Sequence, residues 1–351
     1  MTSKQRVQTA LRRETPDRAP VSADFVPEAA AALKNRLNIE DYHDMLVALG
    51  NDMLVTGVGI ANSFYLEGGA NGEYICPWGC KWKYFENESG SYTEIIEHPL
   101  ANDEDGALLA NYRIPDPLEE SQYCTLQKIL DKYGETHFIC GASPCSIFEA
   151  AWYTAGLVNV IERIMIDPPY VHALFDKMME FPLKAGLKMI DMGVDMVWLG
   201  DDVGTQRGMM MSPGTWREFL KPRLEKLISE FKRRKPSVKV AYHSCGNIMP
   251  IIADLIEIGL DVLNPVQPLA MDPAELKRKF GDRLCFWGSM CIQETLPKGS
   301  EQDIRDEVKL RVQTIGKGGG LILAPAHNVQ ADTSVDNILA FYKAARELGR
   351  Y

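Results

Sequence analysis

The chain has 351 residues, 46% apolar and 25% charged, a globular composition long enough for one large α/β barrel or two average domains. A formal net charge of −10 argues against nucleic acid or an anionic membrane surface as a partner. No stretch approaches the roughly 20 uninterrupted apolar residues of a membrane span, and Met1–Arg6 leads into a polar helix, not an apolar signal region. The eight cysteines are scattered along a large chain, which reads as reduced thiols in the cytoplasm.

Along the chain, apolar runs ending in or near Gly, Pro, Asp or His read as buried parallel strands. They cover 18–23, 52–58, 137–142, 196–200, 238–242, 262–264, 284–287 and 321–324. Helical periodicity fills most of the gaps, at 171–190, 215–234, 248–258, 273–280 and 301–315. Strand–helix alternation repeated about eight times is the pattern of an α/β (β/α)8 TIM barrel. A doubly wound sheet is the rival, but no G-x-G-x-x-G opens any of these helices, and Gly318-Gly319-Gly320 precedes a strand.

Residues 71–98 break this rhythm. Tyr74-Ile75, Lys81–Tyr84 and 92–96, turning around 87–90, read as a β-ribbon inserted near the barrel mouth. Its Tyr74, Trp78, Trp82, Tyr84 and Phe85 suit a docking surface for a partner protein, a lid, or a homodimer contact. With no linker or repeat, residues 1–351 read as one domain.

A barrel carries its chemistry on the loops after its strands. Those loops hold Ser143-Pro144-Cys145, Asp201-Asp202, His243-Ser244-Cys245, Asn264, Trp287-Gly288-Ser289 and His327-Asn328. His243 and Cys245, one residue apart at a strand end, offer the imidazole and thiolate that zinc selects; the alternative is a buried thiol beside a structural histidine. Asp201 and Asp202 suit a metal ligand or a group orienting a protonated substrate, or else a helix cap. Glu149 and Gln206 are further candidates for polar contact, and Trp152, Trp198 and Trp287 for pocket walls.

These strand ends, in this order, resemble the uroporphyrinogen decarboxylase superfamily, which includes zinc- and corrinoid-dependent methyltransferases. The markers are Ser212-Pro213-Gly-Thr-Trp216-Arg-Glu-Phe219, His243-Ser-Cys245-Gly246, Gly259-Leu-Asp261-Val-Leu-Asn264 and Thr333-Ser-Val-Asp-Asn337. The opening, Pro16-Asp17-Arg18-Ala-Pro20, is similar to the methyltransferase branch. The decarboxylases carry an arginine-rich loop after the first strand, where this chain has Ser22-Ala-Asp24-Phe-Val-Pro27. They also place an aspartate after the next strand, where this chain ends in Gly57-Val58-Gly59.

The resemblance therefore implies a cytoplasmic methyltransferase that moves a methyl group between a small methylated ether, amine or thiol and cobalamin. His243, Cys245 and His327 would hold Zn2+, although the methyltransferase pattern has a cysteine where His327 stands. Asp201 or Asp202 would be a fourth ligand or an orienting group, with Glu149 beside the chemistry. No Asp-x-His-x-x-Gly cobalamin signature occurs, so the cofactor would arrive on a partner corrinoid protein. The resemblance also leaves room for a metal-free decarboxylase of a smaller substrate, or a non-catalytic tetrapyrrole or corrinoid binder.

Overall fold

The computed structural model describes residues 1–68, 70–87 and 90–351. Its strands are β1 (Met53–Gly57), β2 (Glu73–Ile75), β3 (Lys81–Asn87), β4 (Gly90–Glu97), β5 (Phe138–Pro144), β6 (Met196–Gly200), β7 (Lys239–His243), β8 (Val262–Val266), β9 (Cys285–Met290) and β10 (Leu321–Pro325). Seven of them form a curled parallel sheet in the order β1-β5-β6-β7-β8-β9-β10. Helices such as Pro168–Met192, Lys221–Arg234 and Glu301–Gln313 alternate with these strands, giving a TIM-barrel-type fold.

The two edges of the sheet meet at Val21. The expected first strand, 18–23, is reduced to this residue, which bridges Leu323 of β10 in parallel. On its other side the Val21 carbonyl accepts the N–H of Asp52 at 2.7 Å. Pro20 has no N–H to extend a ladder, and side chains take over. The Val21 N–H donates to Asp52 Oδ2 at 2.9 Å, and Asn51 Nδ2 donates to the Ala23 carbonyl at 2.9 Å. Asp52 is wholly buried and also accepts from Arg6 at 2.6 Å and Arg18 at 2.7 Å, so its charge is paired.

Side chains along the strands alternate between interior and helix layer, as period 2 demands. Val55, Cys140, Met196, Ala241, Trp287 and Ile322 belong to one buried cluster, plugged by Val7 and Leu11 of helix Ser3–Leu11. Their strand neighbours Leu54, Ile139, Val197, Val240, Phe286 and Leu323 belong to the larger core under the helices. On β7 this puts Ala241 inside and Tyr242 outside, and turns His243 inward at the rim.

Several strands run past their expected ends. β7 includes His243, paired with Gly200 and Asn264, so the histidine sits on the strand, not on a loop. The expected helix 215–234 divides into Pro213–Phe219 and Lys221–Arg234, with Pro222 in the first turn of the second. Among the described residues, no helix is long and apolar enough to cross a membrane.

The inserted ribbon is the antiparallel sheet β2-β3-β4; its expected turn at 88–89 lies outside the described residues. Its strands are tied to the segment after β1: the Tyr74 and Tyr84 hydroxyls each donate at 2.9 Å, to the Ser63 and Leu66 carbonyls. Trp78 and Trp82 are each only 3% exposed. Trp82 packs edge-on to Phe64 at 5.3 Å and beside Tyr153 at 5.8 Å, while Trp78 packs against Phe181 at 5.1 Å. The indoles expected to suit a docking surface therefore face the barrel, because burying them there removes large apolar area from water.

Candidate active site

The strand ends open into a cavity of about 640 Å³. His243 and His327 line it, and together with Cys245 just behind them each brings one ligand atom within 4.8 Å of the others. Cys245 Sγ lies 3.5 Å from His243 Nε2, and the two imidazole rings are 5.9 Å apart. His243 Nδ1 is 2.6 Å from Asn264 Oδ1, and Asn264 Nδ2 in turn donates to the Trp287 carbonyl at 3.3 Å. That second contact fixes the amide with its oxygen toward the imidazole. His243 then carries its proton on Nδ1 and leaves the Nε2 lone pair free for a ligand.

Two glycines make room for this arrangement. A Cβ on Gly200 would stand 2.6 Å from the Cβ of His243, so a side chain there would displace the imidazole. Gly246 has φ +78°, and a Cβ on it would meet the Gly204 and Thr205 backbone at 2.6 Å. The loops after β6 and β7 can cross this closely only with glycine at that point.

The adjacent carboxylates part company. Asp201 is wholly buried and accepts N–H bonds from Ile147 and Glu149 at 2.9 Å, at the start of helix Phe148–Ala155. It anchors that helix and does not line the cavity. Asp202 does line it: Oδ1 is 3.5 Å from His243 Nε2 and accepts the Cys245 N–H at 2.7 Å. Glu149 lines the cavity as well, and its Oε2 accepts the Asp202 N–H at 3.0 Å. Trp198 and Trp287 pack 5.1 Å apart on the cavity wall. Gln206 is exposed on the loop after β6, and Trp152 packs on Tyr153 at 4.0 Å; neither lines the cavity.

The site is electrically unbalanced. Asp24, Glu149 and Asp202 line the cavity, and no lysine or arginine does so among the described residues. Burial, with Asp202 and Asp201 adding to it, lifts the Glu149 carboxyl well above the carboxylate range. Burial likewise lifts Asp201 to about 7 and, with Asp202 and Glu149, raises the Cys245 thiol. His327 is open to solvent at its edge, yet desolvation and then His243 lower its pKa. Two imidazoles, a thiol and nearby carboxylates without a basic partner in the described lining fit a divalent cation such as zinc, which would also make the thiol a thiolate.

Two residues here carried no role in the sequence reading. Asn264 was legible as a strand end, but its contact with His243 depends on the register of β7 against β8. Asp24 lines the cavity with Tyr42, whose hydroxyl donates to Asp24 Oδ1 at 3.2 Å. Burial pushes the Asp24 carboxyl up to about 6, with the Tyr42 hydrogen bond opposing. An acidic residue where the decarboxylases carry arginines was the available signal.

The barrel, its cavity at the strand ends and the histidine–cysteine pair define a class that sequence comparison identifies. The chain belongs to the uroporphyrinogen decarboxylase (URO-D) family, whose model matches residues 79–348. Over 178 residues it is 30% identical to a methylcobamide:CoM methyltransferase, MtaA, of Methanosarcina barkeri, covering 50% of this chain and 49% of that protein. Over 192 residues it is 23% identical to the uroporphyrinogen decarboxylase of Trichodesmium erythraeum, covering 54% of this chain and 51% of that one. The chain thus spans about half the length of the curated relatives it matches. A methyltransferase from Methanosarcina mazei shares the fold, with a TM-score of 0.71 over 99% of both chains at 22% identity.

Proposed function

We propose that this chain is a zinc-dependent methyltransferase that moves a methyl group between a small methylated ether, amine or thiol and a corrinoid carried on a partner protein. The observation that carries this reading is the convergence of His243, Cys245 and His327 within 4.8 Å of one another, with both histidines lining the cavity. Likeness to MtaA of Methanosarcina barkeri supports the same reaction class. When bound, zinc supplies a Lewis acid for the substrate heteroatom, and the corrinoid is the methyl group's other carrier.

The chain's own residues then have separable tasks. Asn264 holds the His243 tautomer, and Asp202 fixes the Cys245 backbone and faces the imidazole. Trp198 and Trp287 exclude water from one wall. Glu149, kept protonated by burial and its acidic neighbours, can give its proton to the heteroatom that loses the methyl group. Free thiols at all eight cysteines suit a cytoplasmic setting. Decarboxylation of a smaller substrate without metal is the rival, and a cavity wall with carboxylates and, among the described residues, no arginine disfavours a polyanion there.

Elemental analysis and a transfer assay test the proposal together. About one zinc per chain is expected, with methylation of cob(I)alamin or a protein-bound corrinoid by at least one member of an ether, amine and thioether panel. Absence of zinc together with carbon dioxide release from a carboxylated substrate would establish the decarboxylase instead.

A further inference from the structure

We propose that the Asp24 end of the cavity binds a positively charged group of the substrate, so that the methylated compound taken here bears an ammonium group. This deepens the methyl-transfer reading and rests on it for the substrate being methylated. Asp24 shares one cavity with His243 and His327, and the segments are physically joined: the Val329 N–H donates to the Asp24 carbonyl at 2.9 Å and the Val26 N–H to the Val329 carbonyl at 3.1 Å. A molecule filling the cavity can therefore touch both the carboxylate and the two histidines.

The Asp24 side chain is only partly used by the protein. Oδ1 accepts from the Tyr42 hydroxyl at 3.2 Å, and among the described residues Oδ2 makes no hydrogen bond. Tyr42 touches it and Phe25 follows it in the chain, and both line the cavity, as do Phe64 and Tyr65 elsewhere on its wall. Carboxylate oxygen and aromatic faces together are the surroundings that attract an organic cation. Glu149, only 8% exposed, adds a further acidic group to the lining. An anionic substrate would meet Asp24 and Asp202 with no lysine or arginine of the described lining to receive it.

Three probes sharing one methylthioethyl tail separate the possibilities in a calorimetric titration of the purified protein: 2-(methylthio)ethylamine, 2-(methylthio)ethanol and 2-(methylthio)ethanesulfonate. The ammonium compound is expected to bind at least about 10-fold more tightly than the sulfonate. Asp24→Asn, which keeps an oxygen for Tyr42, is expected to weaken the ammonium compound about 10-fold and leave the alcohol within about 2-fold. Equal or tighter binding of the sulfonate, or equal weakening of all three probes in Asp24→Asn, would overturn the proposal. If the variant does not fold by circular dichroism, the wild-type ranking alone decides. Because no corrinoid is present, ammonium selection without methyl transfer would sink the methyltransferase reading and keep the cation site. Methyl transfer without ammonium preference would do the reverse.

Discussion

His243 on β7 and Asn264 on β8 face each other across adjacent strands, with Nδ1 2.6 Å from Oδ1. A ligand histidine needs such a partner, because the group on one ring nitrogen decides which tautomer presents the other. Asn264→Ala should lower zinc affinity about 10- to 100-fold, measured by chelator competition, while the circular dichroism spectrum stays unchanged. Asn264→Asp, which still accepts from Nδ1, should restore most of the affinity. Wild-type affinity in the alanine variant would remove the orienting role.

The metal itself is tested at Cys245 and His327. Each alanine variant should fall well below the expected one zinc per chain by elemental analysis, and the melting temperature should move little. The reason is position: both residues lie beyond or at the ends of strands whose core is apolar and separately packed. Full zinc retention in both variants would exclude this cluster as the site.

Uroporphyrinogen should not be converted to coproporphyrinogen at an enzyme-like rate. Its carboxylates would meet Asp24 and Asp202 in place of guanidinium groups. Each missing charge-assisted hydrogen bond costs about 1.5–3 kcal/mol of binding. Chromatography of the product after reduction of uroporphyrin provides the check.

Trp82 packs inward, away from any partner. Its indole is 3% exposed and packs on Phe64 and Tyr153, which line the cavity. Trp82→Ala should cost about 3–5 kcal/mol in the stability of this region, and should depress transfer to free and to protein-bound corrinoid alike. A selective loss with the protein-bound acceptor would instead identify the ribbon as a docking surface.

Asp24 makes stability depend on pH in an unusual direction. Its folded pKa, about 6, lies above the ordinary aspartate value of about 3.9, so the folded state holds this proton more tightly. The contribution is complete below about pH 4 and is lost as pH rises through about 6. Asp24→Asn should therefore gain stability relative to wild type between pH 4 and 7, read as a growing difference in urea midpoint. A constant difference across that window would show that Asp24 is not shifted.

The order of elements, the inserted ribbon and the convergence of strand ends were legible because each rests on local properties: apolar runs, period and turn residues. His243 and Cys245 could be singled out because a borderline-soft metal restricts its ligands to few residue types, and His327 joined them only through the family resemblance. What the chain alone could not decide was orientation. Asp201 and Asp202 are chemically identical neighbours, and only the crossing of β6 with helix Phe148–Ala155 sends one to the helix start and the other to the cavity. Trp82 reads equally as an exposed anchor or a buried lid until the ribbon is laid on Phe64. Asn264 acquires its contact from strand register, and Asp24 its cavity from the pairing of Phe25 with Val329, 304 positions away along the chain. Local periodicity says which residues lie on one face of an element; which faces meet depends on packing between segments far apart in sequence, and that information exists only in the folded molecule.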